Sequence, residues 1–288
     1  MKNKKKYYVI YIDDSKDAMD SLETDILRSA LELKHVQYLD EGMKELNSFK
    51  YKGAIIDGEG LISKNDDVPA KNHLIEAIAR IKDLETIQKR HIPIVVYTGY
   101  KEEFQNFIPQ NIRIYSKDDF AYEMFEYLRA EIEKSEDTKI DSKFQDVFKV
   151  FHKEYLPASE YQNLLIVLKG MNSGNLPDIQ NHLTMVRSML ESIKNEMEKI
   201  LKKTFSDFKD FRHFLEGSPI YKKGVRTEVT PRIVPSYISH HMKNIYGISS
   251  IFIHSKNLEP NKYTSKSVIY AYLDVLRWYY EWRETKKL

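Results

Sequence analysis

The chain contains no cysteine. Disulfides, thiolate metal sites and thiol nucleophiles are therefore excluded, and any chemistry falls to carboxylates, histidines, hydroxyls or cations. No apolar run approaches the roughly 20 residues a helix needs to cross a bilayer. The opening "MKNKKKYYVIYIDDS" passes from lysines into a short apolar run that ends in two aspartates, without a cleavage pattern of small residues. These absences predict a cytoplasmic protein with no membrane partner. What is present is 288 residues at 42% hydrophobic content, enough for two ordinary domains that each bury a core.

The formal net charge of +2 is unevenly spread. Residues 1–137 hold 21 Lys and Arg against 27 Asp and Glu, a net of −6, and the remainder holds 24 against 16, a net of +8. A basic second half suits a nucleic-acid surface, and equally a solvated helical face or a complement to the acidic half. The charge is not gathered into one tract.

In the first half, "YYVIYI" (Tyr7–Ile12), Ala54–Ile56 and "IPIVVY" (Ile92–Tyr97) are short, β-branched or aromatic runs suited to strands buried on both faces. Val36–Leu39 and Ile112–Tyr115 have the same character. Between these runs lie helical spacings: Ala18, Leu22, Ile26 and Leu27; Leu74, Ile75, Ile78 and Ile81; Phe120, Met124, Phe125 and Leu128. The alternation predicts βαβ units around a parallel sheet. Ligands of such sheets bind beyond the carboxyl ends of the strands.

Four of the five predicted strand ends carry chemistry. The first ends in Asp13-Asp14, the third in Asp57 within "GAIIDGEG", the fourth in Thr98-Gly99, and the fifth runs into Ser116-Lys117. Singly, Asp13-Asp14 is a helix cap before Ser15, Thr98-Gly99 a turn, Asp57 a loop aspartate and Lys117 a solvated lysine. Together and in order they form a set fitted to one job. Carboxylates supply hard oxygen ligands for Mg²⁺, one carboxylate serves as an aspartyl-phosphate nucleophile, and an ammonium and a hydroxyl meet phosphoryl oxygens. Gly99, without a Cβ, leaves room for a phosphoryl group close to the backbone.

At these positions the chain, over roughly residues 5–133, resembles a response-regulator receiver domain of two-component signalling. The resemblance implies a flavodoxin-like (βα)5 α/β fold with a parallel sheet. It makes Asp57 the phosphoacceptor and places Mg²⁺ on Asp13, Asp14, Asp57 and the main-chain carbonyl of Glu59. Thr98 is then the switch hydroxyl, and Lys117 pairs with the phosphoryl group. It also implies a histidine kinase or phosphotransfer protein as donor. The sequence departs from the family pattern in a long stretch from Leu61 to His91, in Asp118 where the family usually has proline, and in Ile114 where it usually has an aromatic switch residue. Tyr115 is the next residue, but successive strand side chains point to opposite faces, so it does not substitute.

The expected division is a receiver over residues 1–135, a helical connector over 136–157 and an all-α output domain over 158–288. The last is read as a bundle of four or five helices: Tyr161–Leu168, Ile179–Leu201, Phe205–Leu215, Tyr237–His254 and Ser265–Arg283. Pro177-Asp178 signals a helix start, and "EGSPIYKKGVRTEVTPRIVPS" is a long loop with three prolines. In that loop Tyr221, Lys222, Lys223, Arg226 and Arg232 are candidate phosphate contacts, set against a merely solvated loop. His240, His241 and His254 do not complete a helical metal pair. "NIYGISSIFIHSKN" and the aromatic helix after it faintly resemble HEPN-like bundles, a group that includes RNases and dimerising modules. The catalytic members carry an arginine four to six residues before a histidine, whereas Arg232 and His240 have seven between them. The functional expectation is a phosphorelay response regulator controlling a helical interaction domain, with a possible homodimer and possible nucleic-acid contact. The alternative is a phosphorylation-gated RNase or RNA-binding effector.

Overall fold

The computed structural model describes residues 6–70, 72–119, 121–217, 221–222, 225–226, 231–254 and 259–286. Phe120 and Lys223, and the side chains of Tyr221, Lys222, Arg226 and His254, lie outside the described residues. The chain forms two compact units, residues 1–142 and 143–288.

The first unit is a five-stranded parallel sheet. Its strands are β1 (Tyr7–Ile12), β2 (Leu31–Val36), β3 (Tyr51–Ile56), β4 (Ile94–Thr98) and β5 (Arg113–Ser116), in the order β2-β1-β3-β4-β5. Alternating side chains divide the core into two layers. Ile10, Ile12, Ala54, Ile56 and Val96 pack with α2 (Leu39–Asn47) and α3 (His73–Gln88) on one face. Val9, Tyr11, Ile55, Val95 and Tyr97 pack on the other with α5 (Ala121–Lys134) and Leu22, which precedes α1 (Glu23–Ser29). Each fully buried large apolar side chain contributes about 1.5–3 kcal/mol, and both layers are continuous.

One local expectation needs correction, and one departure noted in the sequence takes a definite form. The second strand runs over Leu31–Val36, and Leu39 instead opens α2. "LELKHV" is an edge strand with only its end residues buried, so its polar middle hides it from an apolar-run search. The stretch after Asp57 is indeed long before α3, but it is not featureless. Leu39 and Asp40 donate their amides to the carbonyls of Leu61 and Ile62, and Gly60 and Ala70 form an antiparallel bridge.

The span read as a connector is divided between the units. In α6 (Glu136–Lys143) the buried Asp141 accepts from Lys52 of β3 at 2.9 Å, which ties this helix to the sheet unit. In α7 (Gln145–His152) Val147, Phe148, Val150 and Phe151 are buried within the second unit. The two helices abut with Phe144 alone between them.

The second unit continues with α8 (Ala158–Gly170), α9 (Leu176–Leu201), α10 (Phe208–Leu215), α11 (Ser236–His254) and α12 (Lys262–Glu284). Pro177 sits in the first turn of α9, as its sequence signal predicts. Asp207 caps α10 by accepting the Asp210 amide, and Asn261 caps α12 by accepting the amides of Tyr263 and Thr264. Helix α12 packs on α7, α9 and α11, burying Tyr272, Trp278, Tyr279 and Trp282, so much of its aromatic surface is core. The unit is helical but not all-α among the described residues. A short hairpin, β6 (Tyr221–Lys222) and β7 (Val225–Arg226), lies in the long loop. No helix among the described residues is long and apolar enough to cross a membrane.

Candidate functional site

The chain leaves β1 for β2 on one side of the sheet and β3 on the other, so the carboxyl ends of β1 and β3 flank the place where strand order reverses. Asp13 and Asp57 are the residues immediately after those two strands. Main-chain bonds fix both: the Asp13 amide donates to Val36 O at 3.1 Å and the Asp57 amide to Ile12 O at 2.9 Å. The Lys117 amide donates to Thr98 O at 3.0 Å, which places the end of β5 against the end of β4.

The side chains converge. Ligand oxygens of Asp13, Asp14 and Asp57 lie within 4.8 Å of one another. Lys117 Nζ reaches Asp13 Oδ2 at 2.7 Å and Asp57 Oδ2 at 2.6 Å, bridging the two strand ends. The other Asp57 oxygen accepts the Gly58 amide at 2.6 Å, and Asp13 Oδ1 accepts the Ser15 amide at 2.9 Å. Asp13 is fully buried, whereas Asp57 keeps 9% exposure and the Lys117 side chain 33%, so the Asp57 carboxylate is reachable from solvent.

The electrostatics follow from burial and from sharing. Burial pushes the Asp57 carboxyl above its ordinary value, and the neighbouring Asp13 adds to this, more than Lys117 and the Gly58 amide pull it down. Burial lowers the Lys117 ammonium, but its hydrogen bonds and charge contacts with Asp13 and Asp57 outweigh that and hold it above the usual lysine range. Crowded carboxylates with one ammonium between them favour an added cation.

Thr98 is fully buried at the end of β4, and its Oγ accepts the Tyr100 amide at 3.3 Å. Gly58 is the glycine this site demands. A Cβ there would stand 2.4 Å from the Phe104 ring and 2.6 Å from Thr98 Oγ1, whereas one on Gly99 meets nothing within 4 Å. The crowding that requires glycine is thus beside Asp57, not after Thr98. Glu59 is half-buried, and among the described residues no main-chain amide donates to its carbonyl.

Ile114 and Tyr115 do point to opposite faces. Ile114 packs with Phe104 and Ile108 against the α2/α3 layer, and Tyr115 packs with Tyr127 against the α5 layer. Phe104 closes the single turn α4 (Lys101–Phe104), and its ring lies against Gly58 beside the Thr98 hydroxyl. No spacing rule marks this residue.

No protein-family model matches the chain, and no curated protein matches it. The assignment of chemistry therefore rests on the strand-end geometry.

Sequence reasoning also missed the groups behind the rim. The Tyr11 hydroxyl donates to Asp13 Oδ2 at 2.5 Å, His35 Nε2 donates to Asp13 O at 2.7 Å, and Gln37 Nε2 donates to Asp14 O at 3.1 Å. Tyr11 was open to discovery, since a residue two before Asp13 on a strand shares its face. His35 was not, because it pairs in register with Tyr11 only once β2 is placed at Leu31–Val36. His73 is fully buried beneath Gly60. Burial holds it below the ordinary histidine value.

Two shallow grooves run along β5 and α4, lined by Lys101, Ile108, Arg113 and Ile114. In the second unit Arg232 donates to Ser236 Oγ at 2.6 Å and His240 Nδ1 meets Ser236 O at 2.6 Å. Arg232 precedes α11 and His240 lies one turn after Ser236, and both side chains are exposed. His241 instead faces Asp274 at 3.5 Å, so the adjacent histidines diverge as their helical spacing requires.

Proposed function

We propose that residues 1–142 are a flavodoxin-like receiver domain that accepts a phosphoryl group on Asp57 from a histidine kinase or phosphotransfer protein, with Mg²⁺, and controls the helical unit. The observation that carries this reading is the Lys117 ammonium bridging Asp13 and Asp57 while three carboxylates crowd within 4.8 Å. The residues that would hold Mg²⁺ are Asp13, Asp14 and Asp57, with the Glu59 carbonyl. The ion supplies neutralising charge at the phosphoryl oxygens when bound.

The chain's own groups divide the remaining work. An Asp57 carboxylate oxygen forms the new bond to phosphorus as the donor's P–N bond breaks, and the leaving imidazole keeps that electron pair. Lys117, already at Asp57 Oδ2, turns its ammonium to a phosphoryl oxygen. Thr98 donates its hydroxyl proton to another. Phosphate-affinity electrophoresis after exposure to a small phosphodonor tests the acceptor: a Mg²⁺-dependent shifted band is expected, and an equal band in Asp57→Asn would overturn the assignment.

For the helical unit the favoured reading is an interaction module, because Arg232 and His240 are spaced and exposed unlike a closed catalytic pair. The RNase reading keeps one supporting observation, their shared contact with Ser236. Light scattering with and without beryllofluoride, beside an RNA cleavage assay on wild type and His240→Ala, separates them. A change of mass without cleavage supports the module. Cleavage lost with His240 would restore the nuclease.

A further inference from the structure

The rim carboxylates are held from behind by a polar set on β1 and β2, and the set is built into an apolar layer. Tyr11 is fully buried among Val9, Ile55, Val95, Tyr97 and Phe125, and its hydroxyl would be costly to bury unpaired. It is paired with Asp13 Oδ2, the same oxygen that Lys117 reaches. Asp13 Oδ1 is held by the Ser15 amide and its carbonyl by His35, whose ring lies 5.7 Å from that of Tyr11. Every oxygen of Asp13 therefore has a donor before any ion arrives.

We infer that Tyr11 is a positioning residue for Mg²⁺ binding, holding the Asp13 carboxylate in its ligand orientation both while Lys117 shares Asp13 Oδ2 and after Lys117 turns away. The inference rests on the receiver reading and goes further, since a Lys117 ammonium drawn toward a phosphoryl oxygen loosens its hold on Asp13 Oδ2, whereas the Tyr11 hydroxyl is fixed by its buried ring. When Lys117 turns to phosphate, the Tyr11 hydroxyl is the side-chain donor that stays on Asp13 Oδ2. Replacing it with hydrogen keeps the ring and its packing but frees the carboxylate to rotate toward other partners. Loss of a group that orients a metal ligand typically weakens metal affinity about tenfold or more.

The test is Mg²⁺ binding by calorimetry without phosphodonor, with phosphorylation rates measured across Mg²⁺ concentrations, for the full chain and for Tyr11→Phe and Tyr97→Phe. Tyr97 is a tyrosine of the same layer with no hydrogen bond to Asp13 among those described, so it controls for loss of a tyrosine hydroxyl from that layer. Tyr11→Phe should weaken Mg²⁺ about tenfold, raise the half-saturating Mg²⁺ by the same factor and leave the rate at saturating Mg²⁺ close to wild type. Tyr97→Phe should do neither. Unchanged Mg²⁺ affinity in Tyr11→Phe, or an equal loss in Tyr97→Phe, would overturn the inference while leaving the receiver reading intact. Wild-type chain that binds no Mg²⁺ would overturn both. A measurement free of substitutions accompanies it: with ¹³C-labelled tyrosine, the Tyr11 Cζ resonance should move on adding Mg²⁺, and its failure to move in a chain that binds the ion would likewise overturn the inference.

Discussion

The two units treat their polar groups in opposite ways. In the sheet unit Asp13, Asp14, Asp57, Thr98 and Lys117 come from four strand ends and meet at one rim. In the helical unit some polar groups pair in small local sets, such as Glu160 with Ser192 and Asn163, or Arg187 with Tyr246, and others, such as the hydroxyls of Ser249, Ser265 and Tyr272, are buried singly without a partner among the described residues. Stacked rings do much of the rest: Phe208 lies on Tyr246 at 4.8 Å, and Trp282 lies near both Trp278 and Tyr279. Parallel strands deliver every carboxyl end to the same edge, so a few side chains far apart in sequence assemble without further cost. A helical bundle has no such edge. Its polar groups serve packing unless a cleft gathers them, which is why chemistry is assigned to the first unit and contact to the second.

The largest expected effect breaks the rim at its bridge. Lys117→Ala removes the ammonium shared by Asp13 and Asp57 and should slow phosphoryl incorporation by about a hundredfold or more, the scale for losing one electrostatic group at a transferring centre. A rate within the scatter of wild type, followed by phosphate-affinity electrophoresis, would mean that the ion pair is structural only.

A matched pair of glycine substitutions sharpens the contrast between units. Gly58→Ala drives a Cβ to 2.4 Å from the Phe104 ring and 2.6 Å from Thr98 Oγ1, an overpacking that costs about 1–3 kcal/mol. It should lower both the melting temperature and the phosphorylation rate. Gly170→Ala meets the buried His182 ring at 2.4 Å, but gains about 1 kcal/mol of helix propensity, so its net cost is smaller. It should lower stability slightly and leave phosphorylation unchanged. Equal effects of the two on the phosphorylation rate would show that the distinction between the units is drawn in the wrong place.

The smallest effect is a pH dependence confined to the sheet unit. Burial pushes the Glu85 carboxyl up, but hydrogen bonds from His91, Lys82 and the Ile92 amide outweigh it and hold the group at about 2, against an ordinary 4.5. A carboxyl depressed on folding stabilises above its unfolded value and loses that contribution as pH falls through the folded one. The window is therefore from about 4.5 down to about 2. After discounting for solvent screening, the contribution is about 1–2 kcal/mol. Denaturant titrations of wild type and Glu85→Gln should differ at pH 6 and converge as pH approaches 2. A constant difference over that range would remove Glu85 from the account.

The strand ends were legible because buried parallel strands are short apolar runs, and the polar residue at the end of each run is the one delivered to the rim. The helical unit was legible from the stripe of Leu183, Val186, Leu190, Ile193 and Met197 on α9. What stayed hidden depended on register or on contacts across the fold. The polar middle of the β2 edge strand masked it, and with it His35. Phe104 meets Gly58 only because a single helical turn after β4 folds over the end of β3. The division of the connector was hidden for the same reason: Asp141 is bound to the sheet unit by Lys52, 89 positions earlier in the chain.

The central claim is that Asp57 at this rim takes a phosphoryl group in a Mg²⁺-dependent reaction. Intact-protein mass spectrometry after incubation with acetyl phosphate, followed by peptide mapping, tests it most directly. The account predicts one added phosphoryl group, on the peptide containing Asp57, formed with Mg²⁺ and absent when the ion is chelated. No added mass, or the same addition in Asp57→Asn, would contradict it.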